Sequence, residues 1–341
     1  MPHPASHASL AHGFITTPQP RTAAPGRRLR MQGHRRSSAS LPVGRHLHGG
    51  MCRNQAMSDP LPTHIPAGKE AIDGVRNLVA IASGKGGVGK STTIVNLAVV
   101  LAAQGYRVGL LDADIYGPSI PLMMGLADRR PRVERRTLFP LENYGVRTIS
   151  IGYLTDPEQA AIWRGPMASG AVMQLLRDVR WTGPDEELDL LLIDLPPGTG
   201  DIHLTLAQQA PLSGAIAITT PQEVALIDCR KAIHMFRKVA IPCLGVVENM
   251  REFVCPHCGQ HSDLFDRDGA ASLAERFELP LLGGIPLDPA IRRLADRGTP
   301  LAIAEPDSRS AAAYRAIAEA LIERIRALPR QIRLDIPVTA G

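Results

Sequence analysis

The sequence predicts a doubly wound, mostly parallel α/β sheet flanked by helices. Three observations carry that expectation. A short apolar run at 78–82 enters a glycine-rich loop, and a helical pattern leaves it, the order strand, loop, helix. Near-continuous aliphatic runs recur at 107–112, 188–194, 215–220 and 244–249, as expected of parallel strands buried on both faces. Two of those runs end in aspartate, Asp112 and Asp194, at the strand ends where open α/β sheets bind ligands.

The loop between the first strand and helix is Ser83-Gly84-Lys85-Gly86-Gly87-Val88-Gly89-Lys90-Ser91-Thr92. It fits G-x-x-x-x-G-K-[ST], the phosphate-binding P-loop. Glycines let backbone N–H groups turn inward around phosphate oxygens, and the helix N-terminus adds the positive end of its dipole. Lys90 reaches the β- and γ-phosphates, and the Ser91 hydroxyl ligates Mg²⁺. The helix after it carries Ile94, Leu97, Ala98 and Leu101 on one face and stops at Gly105, a C′ glycine.

The next strand delivers Asp112-Ala113-Asp114, with Asp114 the functional carboxylate beside the loop. Either acid also suits a helix N-cap. Residues 127–150 read as a surface excursion with a hairpin. Ile162–Met167 offers no chemistry, and a packed Trp163 beside a surface Arg164 accounts for it. The run 188–194 has the Walker B pattern, a buried strand carrying Asp194 toward Mg²⁺. Residues 195–201, Leu-Pro-Pro-Gly-Thr-Gly-Asp, suit a nucleotide-sensing switch or a plain tight loop. After the strand at 215–220, Leu226, Cys229, Ile233 and Phe236 share a helical stripe, so Cys229 is a core residue, as is Cys243. A short last strand is expected at 281–286 and a helix at 290–298. Tyr314, Ile317, Leu321, Ile325 and Leu328 line a final helix that docks on the domain, since Glu319 and Glu323 dilute any basic, membrane-seeking face.

Composition narrows the class. The chain has 341 residues, 44% hydrophobic but only 4% aromatic, enough for a large aliphatic core. Its +5 charge is uneven. Residues 1–57 hold eight arginines and no lysine or acid, which leaves the remainder net acidic and argues against a nucleic-acid-binding domain. No run approaches the roughly 18 apolar residues of a membrane span. We therefore divide the chain into a basic, disordered leader (1–67), a P-loop domain (68–330) and a loose tail (331–341). The leader fits a transit peptide, a functional tail, or an extension upstream of a true start at Met57; its lack of amphipathic period favours the last.

Five cysteines are too scattered for a disulfide framework. Only Cys255 and Cys258 are closely spaced, in Cys-Pro-His-Cys-Gly, a tight turn that aims two thiolates at one metal. Two thiolates do not close a tetrahedral site. Either His257 or His261 completes a zinc site, or two chains meet on a twofold axis and share one cluster. A redox dithiol is the third option.

Lys85, directly after the first loop glycine, gives K-G-G-x-G-K-[ST], which resembles the deviant P-loop of MinD, ParA, the nitrogenase iron protein and the cluster carriers. Spacing alone assigns Lys85 only a local positive charge; the resemblance implies that it reaches the partner subunit's nucleotide. With the sequences at 112–119, 163–166, 194–201 and 248–250 and Cys255-x-x-Cys258 in order, residues 70–328 resemble the Mrp- and ApbC-type iron–sulfur cluster carrier ATPases, the mitochondrial complex I assembly factor among them. The resemblance implies a homodimeric, slow ATPase that holds a labile 4Fe-4S cluster between subunits and passes it to apo iron–sulfur proteins. It implies that Gly84, Lys85, Gly86, Gly87, Val88, Gly89, Lys90, Ser91 and Thr92 bind ATP, and that Asp114 orients the attacking water. Asp194 would support Mg²⁺, Asn249 would recognise adenine, and Cys255 with Cys258 would ligate the cluster. Residues 1–67 cannot form the small acidic domain that many bacterial members carry before the P-loop. No cysteine-rich N-terminal cluster site is present either, so one cluster per dimer is expected. No nucleic acid or membrane partner is expected, and the location is cytoplasmic, or the mitochondrial matrix if 1–57 is a transit peptide. The rival is a MinD/ParA-like dimerisation switch with a structural zinc knuckle.

Overall fold

The computed structural model describes residues 59–155, 165–183, 185–255, 257–262, 264–265 and 268–329, within the unit Cys52–Gly341. β1 (Leu78–Ala82) leads through the glycine loop into α1 (Lys90–Ala103) and then β2 (Val108–Asp112). A short α2 (Ile120–Met123), the hairpin β3 (Arg132–Glu134) and β4 (Thr137–Phe139), and β5 (Leu141–Asn143) precede β6 (Val146–Ser150). There follow α3 (Gly165–Arg177), β7 (Leu190–Asp194), α4 (Asp201–Gln209), β8 (Leu212–Thr219), α5 (Glu223–Lys238) and β9 (Cys243–Glu248). A ribbon of β10 (Phe253–Val254) and β11 (His261–Ser262) comes next, then α6 (Gly269–Arg276), β12 (Leu281–Gly284), α7 (Pro289–Ala295), α8 (Leu301–Ala304) and α9 (Arg309–Arg326).

Eight strands form one sheet in the order β12-β9-β8-β1-β7-β2-β6-β5. Every pairing in it is parallel except β5 with β6, as the aliphatic runs predict. Successive side chains of a strand point to opposite faces, and here each face has its own core. Val79, Ile81, Leu110 and Leu192 pack with α1 and α9. Leu78, Ala80, Leu111 and Ile193 pack with α3 and α4. The final helix docks as expected, with Tyr314, Ile317, Leu321 and Ile325 in the first of these cores.

Two expectations need correction. Residues 146–150 were expected in a surface excursion, but they form β6, buried at four of five positions and parallel to β2. The excursion itself is the β3–β4 hairpin and β5. A strand preceded by an antiparallel partner reads as one arm of a hairpin, and sequence alone does not reveal its second neighbour. The leader boundary also moves. The strap 59–67 was expected to be disordered, yet Leu61 is 1% exposed within the α1 core. Backbone carbonyls hold the strap in place: Asn77 donates to Pro62 (2.9 Å), and Ser213 donates to His64 (2.7 Å). The expectations for residues 1–58, Trp163, Arg164 and the tail 331–341 lie outside the described residues.

Candidate functional site

The P-loop leaves the central strand β1 between β7 and β8, so the switch loop after β7 lies on one side of it and α5 on the other. Its conformation needs glycine at several positions. Gly87 (φ 83°) and Gly89 (φ 81°) are left-handed, a region most side chains avoid. A Cβ on Gly84 would lie 2.0 Å from the Asp228 backbone in α5, so the loop is seated directly on that helix. Ser83 donates across the loop to the Lys85 carbonyl (3.0 Å), while the Lys85 side chain is exposed. Asn249, just after β9, donates from Nδ2 to the Val88 carbonyl at 2.8 Å. The residue expected at the base therefore also braces the phosphate loop, and its Oδ1 and second amide proton are left for a ligand.

Lys90, buried at the start of α1, is paired with Asp194, and it lies 3.4 Å from the Ser91 hydroxyl. Asp194 is fully buried, and its Oδ2 has no hydrogen-bond partner. Burial holds its carboxyl above the ordinary range, an effect that Lys90 only partly offsets. An orphaned carboxylate oxygen next to a hydroxyl and a glycine cradle is a donor set that fits Mg²⁺ held with a phosphate.

Asp112 stands opposite Asp194 in the β2–β7 register. It too is fully buried, and burial together with the Asp194 charge pushes it up to about 8. It accepts hydrogen bonds from the Ser150 hydroxyl (3.0 Å), the Asp114 N–H (3.1 Å) and the Ile120 N–H (3.3 Å). Asp112 is thus the capping acid of the pair. It fixes the turn that presents Asp114, which is half-buried and lines the P-loop mouth with Pro197 and Ser119.

The loop after β7, residues 195–200, is anchored by the Gly198 N–H on the Ser83 carbonyl (3.1 Å). Beside it a cleft of about 260 Å³ is bordered by Asp114, Tyr116, Pro196, Pro197, Asp201 and His203. Sequence reading gave Gly165 no role. A Cβ there would lie 2.5 Å from the Asp201 carboxylate, so this glycine lets α3 start against the switch. His203 was likewise missed, because a lone histidine on a helix carries no motif.

The cysteine pair sits at the far end of the ligand face, beyond β9. Gly259 (φ 70°) turns the chain, its N–H donating to the Cys255 carbonyl (2.9 Å), and the Cys255 N–H donates to Gln260 (3.0 Å). Backbone N–H groups of His257 and Cys258 donate to the Cys255 sulfur and hold its thiol below the ordinary range, which favours the metal-binding thiolate. Cys258 is exposed and Cys255 half-buried. His261 is engaged elsewhere. Arg309 lies 3.2 Å from Nε2 and can only donate, so Nδ1 carries the proton and donates to Glu252 at 3.0 Å. Among the described residues no three His, Cys, Asp or Glu side chains gather as a metal site. Cys229, fully buried, and Cys243, half-buried, lie in the core as expected. No described helix is long and apolar enough to cross a membrane.

Comparison with known proteins agrees with this geometry. Residues 74–322 match the model of the NUBPL iron-transfer P-loop NTPases, within the ParA group. A Salmonella typhimurium iron–sulfur cluster carrier protein is 53% identical over 249 residues, 73% of this chain and 66% of that one. The chain therefore spans about two thirds of that relative's length. The iron–sulfur cluster transfer protein NUBPL of Mus musculus is 44% identical over 302 residues, covering 86% of this chain and 92% of the relative. Among solved structures, an Archaeoglobus fulgidus nucleotide-binding protein in complex with ADP is 39% identical with a TM-score of 0.59, over 69% of this chain and 90% of its own. The Pyrococcus furiosus cell division ATPase MinD is 25% identical with a TM-score of 0.55, over 72% and 98%.

Proposed function

The chain belongs to the NUBPL-type iron-transfer P-loop NTPases, and from that premise we propose that it is an ATP-hydrolysing iron–sulfur cluster carrier that works as a homodimer. The observation that carries the proposal is the pairing, in one fold, of a braced phosphate loop with a two-cysteine knuckle that has no third ligand among the described residues. Two such knuckles brought together supply the four thiolates of a 4Fe-4S cargo.

Residues 84–92 hold the phosphates. Lys90, now paired with Asp194, would turn to the phosphates, and the freed Asp194 carboxylate with the Ser91 hydroxyl would hold Mg²⁺. When bound, that ion would supply shielding of the phosphate charge. Asp114, held by the turn that Asp112 caps, orients the attacking water. Lys85, exposed at the lip of the loop, is free to reach a partner's nucleotide, and Asn249 offers its remaining amide groups to adenine. Cys255 and Cys258 ligate the cargo. The recipients are apo iron–sulfur proteins, and the site of action is the cytoplasm, or the mitochondrial matrix should residues 1–57 direct import.

Transfer is the test. Anaerobically reconstituted protein mixed with an apo 4Fe-4S enzyme should restore that enzyme's activity, and Cys255→Ser protein should not. Equal recovery with both would sink the carrier reading. A zinc knuckle completed by His261 would have to break that ring's contacts with Glu252 and Arg309; one completed by His257 would give zinc in the monomer without sulfide.

A further inference from the structure

Helix α4 begins directly after the switch loop, and its third residue, His203, points into the fold. The residue is 1% exposed; neither ring nitrogen makes a hydrogen bond of good geometry, and the backbone group that faces the ring is that of Pro196 in the loop itself. A buried imidazole whose polar atoms are so poorly paired is unfavourable, so some reason for keeping it is required. Burial and the Lys90 charge hold the ring neutral, pushed down to about 4, against a weak hydrogen bond to the Pro196 backbone that acts the other way. A neutral ring keeps one donor and one acceptor. The ring also borders the cleft that Asp114, Pro196 and Pro197 share, and Asp114 and Pro197 line the P-loop mouth as well. The Pro196 backbone already faces the ring, so a shift of the loop at 195–200 changes that contact directly.

We propose that His203 is a positioning residue for ATP hydrolysis, whose ring hydrogen-bonds the backbone of the switch loop as that loop closes on the γ-phosphate. It does not touch the reacting atoms. It selects the loop position in which Pro197 and Asp114 flank the attacking water. Because the poorly paired ring gains a better hydrogen bond in the closed loop, the preference is built into the fold. The inference rests on the ATPase reading above.

The test uses the full chain with His203→Leu, which fills the space without polar atoms, and His203→Gln, which restores a donor and an acceptor. Steady-state hydrolysis gives kcat, and equilibrium titration gives ATP affinity. We expect His203→Leu to lower kcat on the order of ten- to a hundredfold, as a misplaced reaction geometry does, with ATP affinity within about threefold of wild type. His203→Gln should recover most of kcat. Should the leucine variant fail to fold, His203→Met takes its place against His203→Gln. Unchanged kcat in the apolar variant overturns the inference. So does an equal loss in the Gln and apolar variants, which would mark a packing role. A wild-type chain without ATPase activity would instead overturn the functional reading, and this inference with it.

Discussion

Asp112 and Asp194 face each other across adjacent parallel strands, both fully buried, and Lys90 pairs with Asp194 alone. The two acids have separate tasks. Asp112 accepts hydrogen bonds from its own turn, whereas Asp194 keeps one oxygen unpaired. The site is therefore a buried acidic floor beneath an open glycine loop, with Asp112 held toward its neutral form and Asp194 paired with Lys90.

The division between Lys90 and Asp114 should appear in kinetics. Lys90→Ala should weaken ATP binding and hydrolysis together, since its charge faces the phosphates in ground and transition states alike. Asp114→Ala should keep ATP bound and lose turnover by roughly a hundredfold or more, the scale of a positioned acid–base group. Wild-type hydrolysis by both variants would refute the assignment.

Gly84 tests the seating of the loop. A methyl group there would meet the Asp228 backbone at 2.0 Å, and backbone yields far less readily than a flexible side chain. Gly84→Ala should displace the loop and abolish the thermal shift that Mg-ATP gives the wild type. A wild-type shift would show that the loop is not held against α5.

How much of this was legible in the sequence depended on whether a residue's partner is local. The P-loop, Asp194 and the knuckle announce themselves because their spacing is their chemistry. The strands at Leu190–Asp194 and Leu212–Thr219 were legible because burial on both faces leaves an unbroken aliphatic run. β6 was not, because its parallel neighbour β2 lies far back in the chain. Gly165, His203 and the strap at Leu61 depend on contacts between distant segments, which no pattern within a window records. Asn249 was singled out only through the family resemblance, and its hold on Val88 needed the fold.

The strap makes its own prediction. Leu61→Ala should lower stability by about 2–4 kcal/mol, as for other buried leucines. A chain starting at Met57 retains the strap and should melt with the full-length protein, whereas one starting at Gly68 should melt well below it. Equal melting of all three would show that the strap contributes nothing to the core.

His203 should give an acid-side pH dependence. Its ionisation is pushed down from 6.5 to about 4 in the folded chain, so the unfolded chain binds the proton more tightly. The neutral ring's contribution is fully present above about pH 6.5 and is lost as pH falls toward 4. Its full extent is roughly 3 kcal/mol by linkage. In urea denaturation between pH 7 and 4, His203→Gln should lose less stability than wild type. Parallel curves would mean that the ring is not held neutral by the fold.

The central claim is that two chains share one cluster through Cys255 and Cys258, and metal stoichiometry in size-fractionated, anaerobically reconstituted protein tests it most directly. The account predicts iron and sulfide in the dimer fraction, about four iron per dimer by the four-cysteine rule. Cys255→Ser and Cys258→Ser should abolish this content and leave ATP binding intact, and His257→Ala and His261→Ala should have little effect. One zinc per monomer, without sulfide and lost when His257 or His261 is removed, would contradict it.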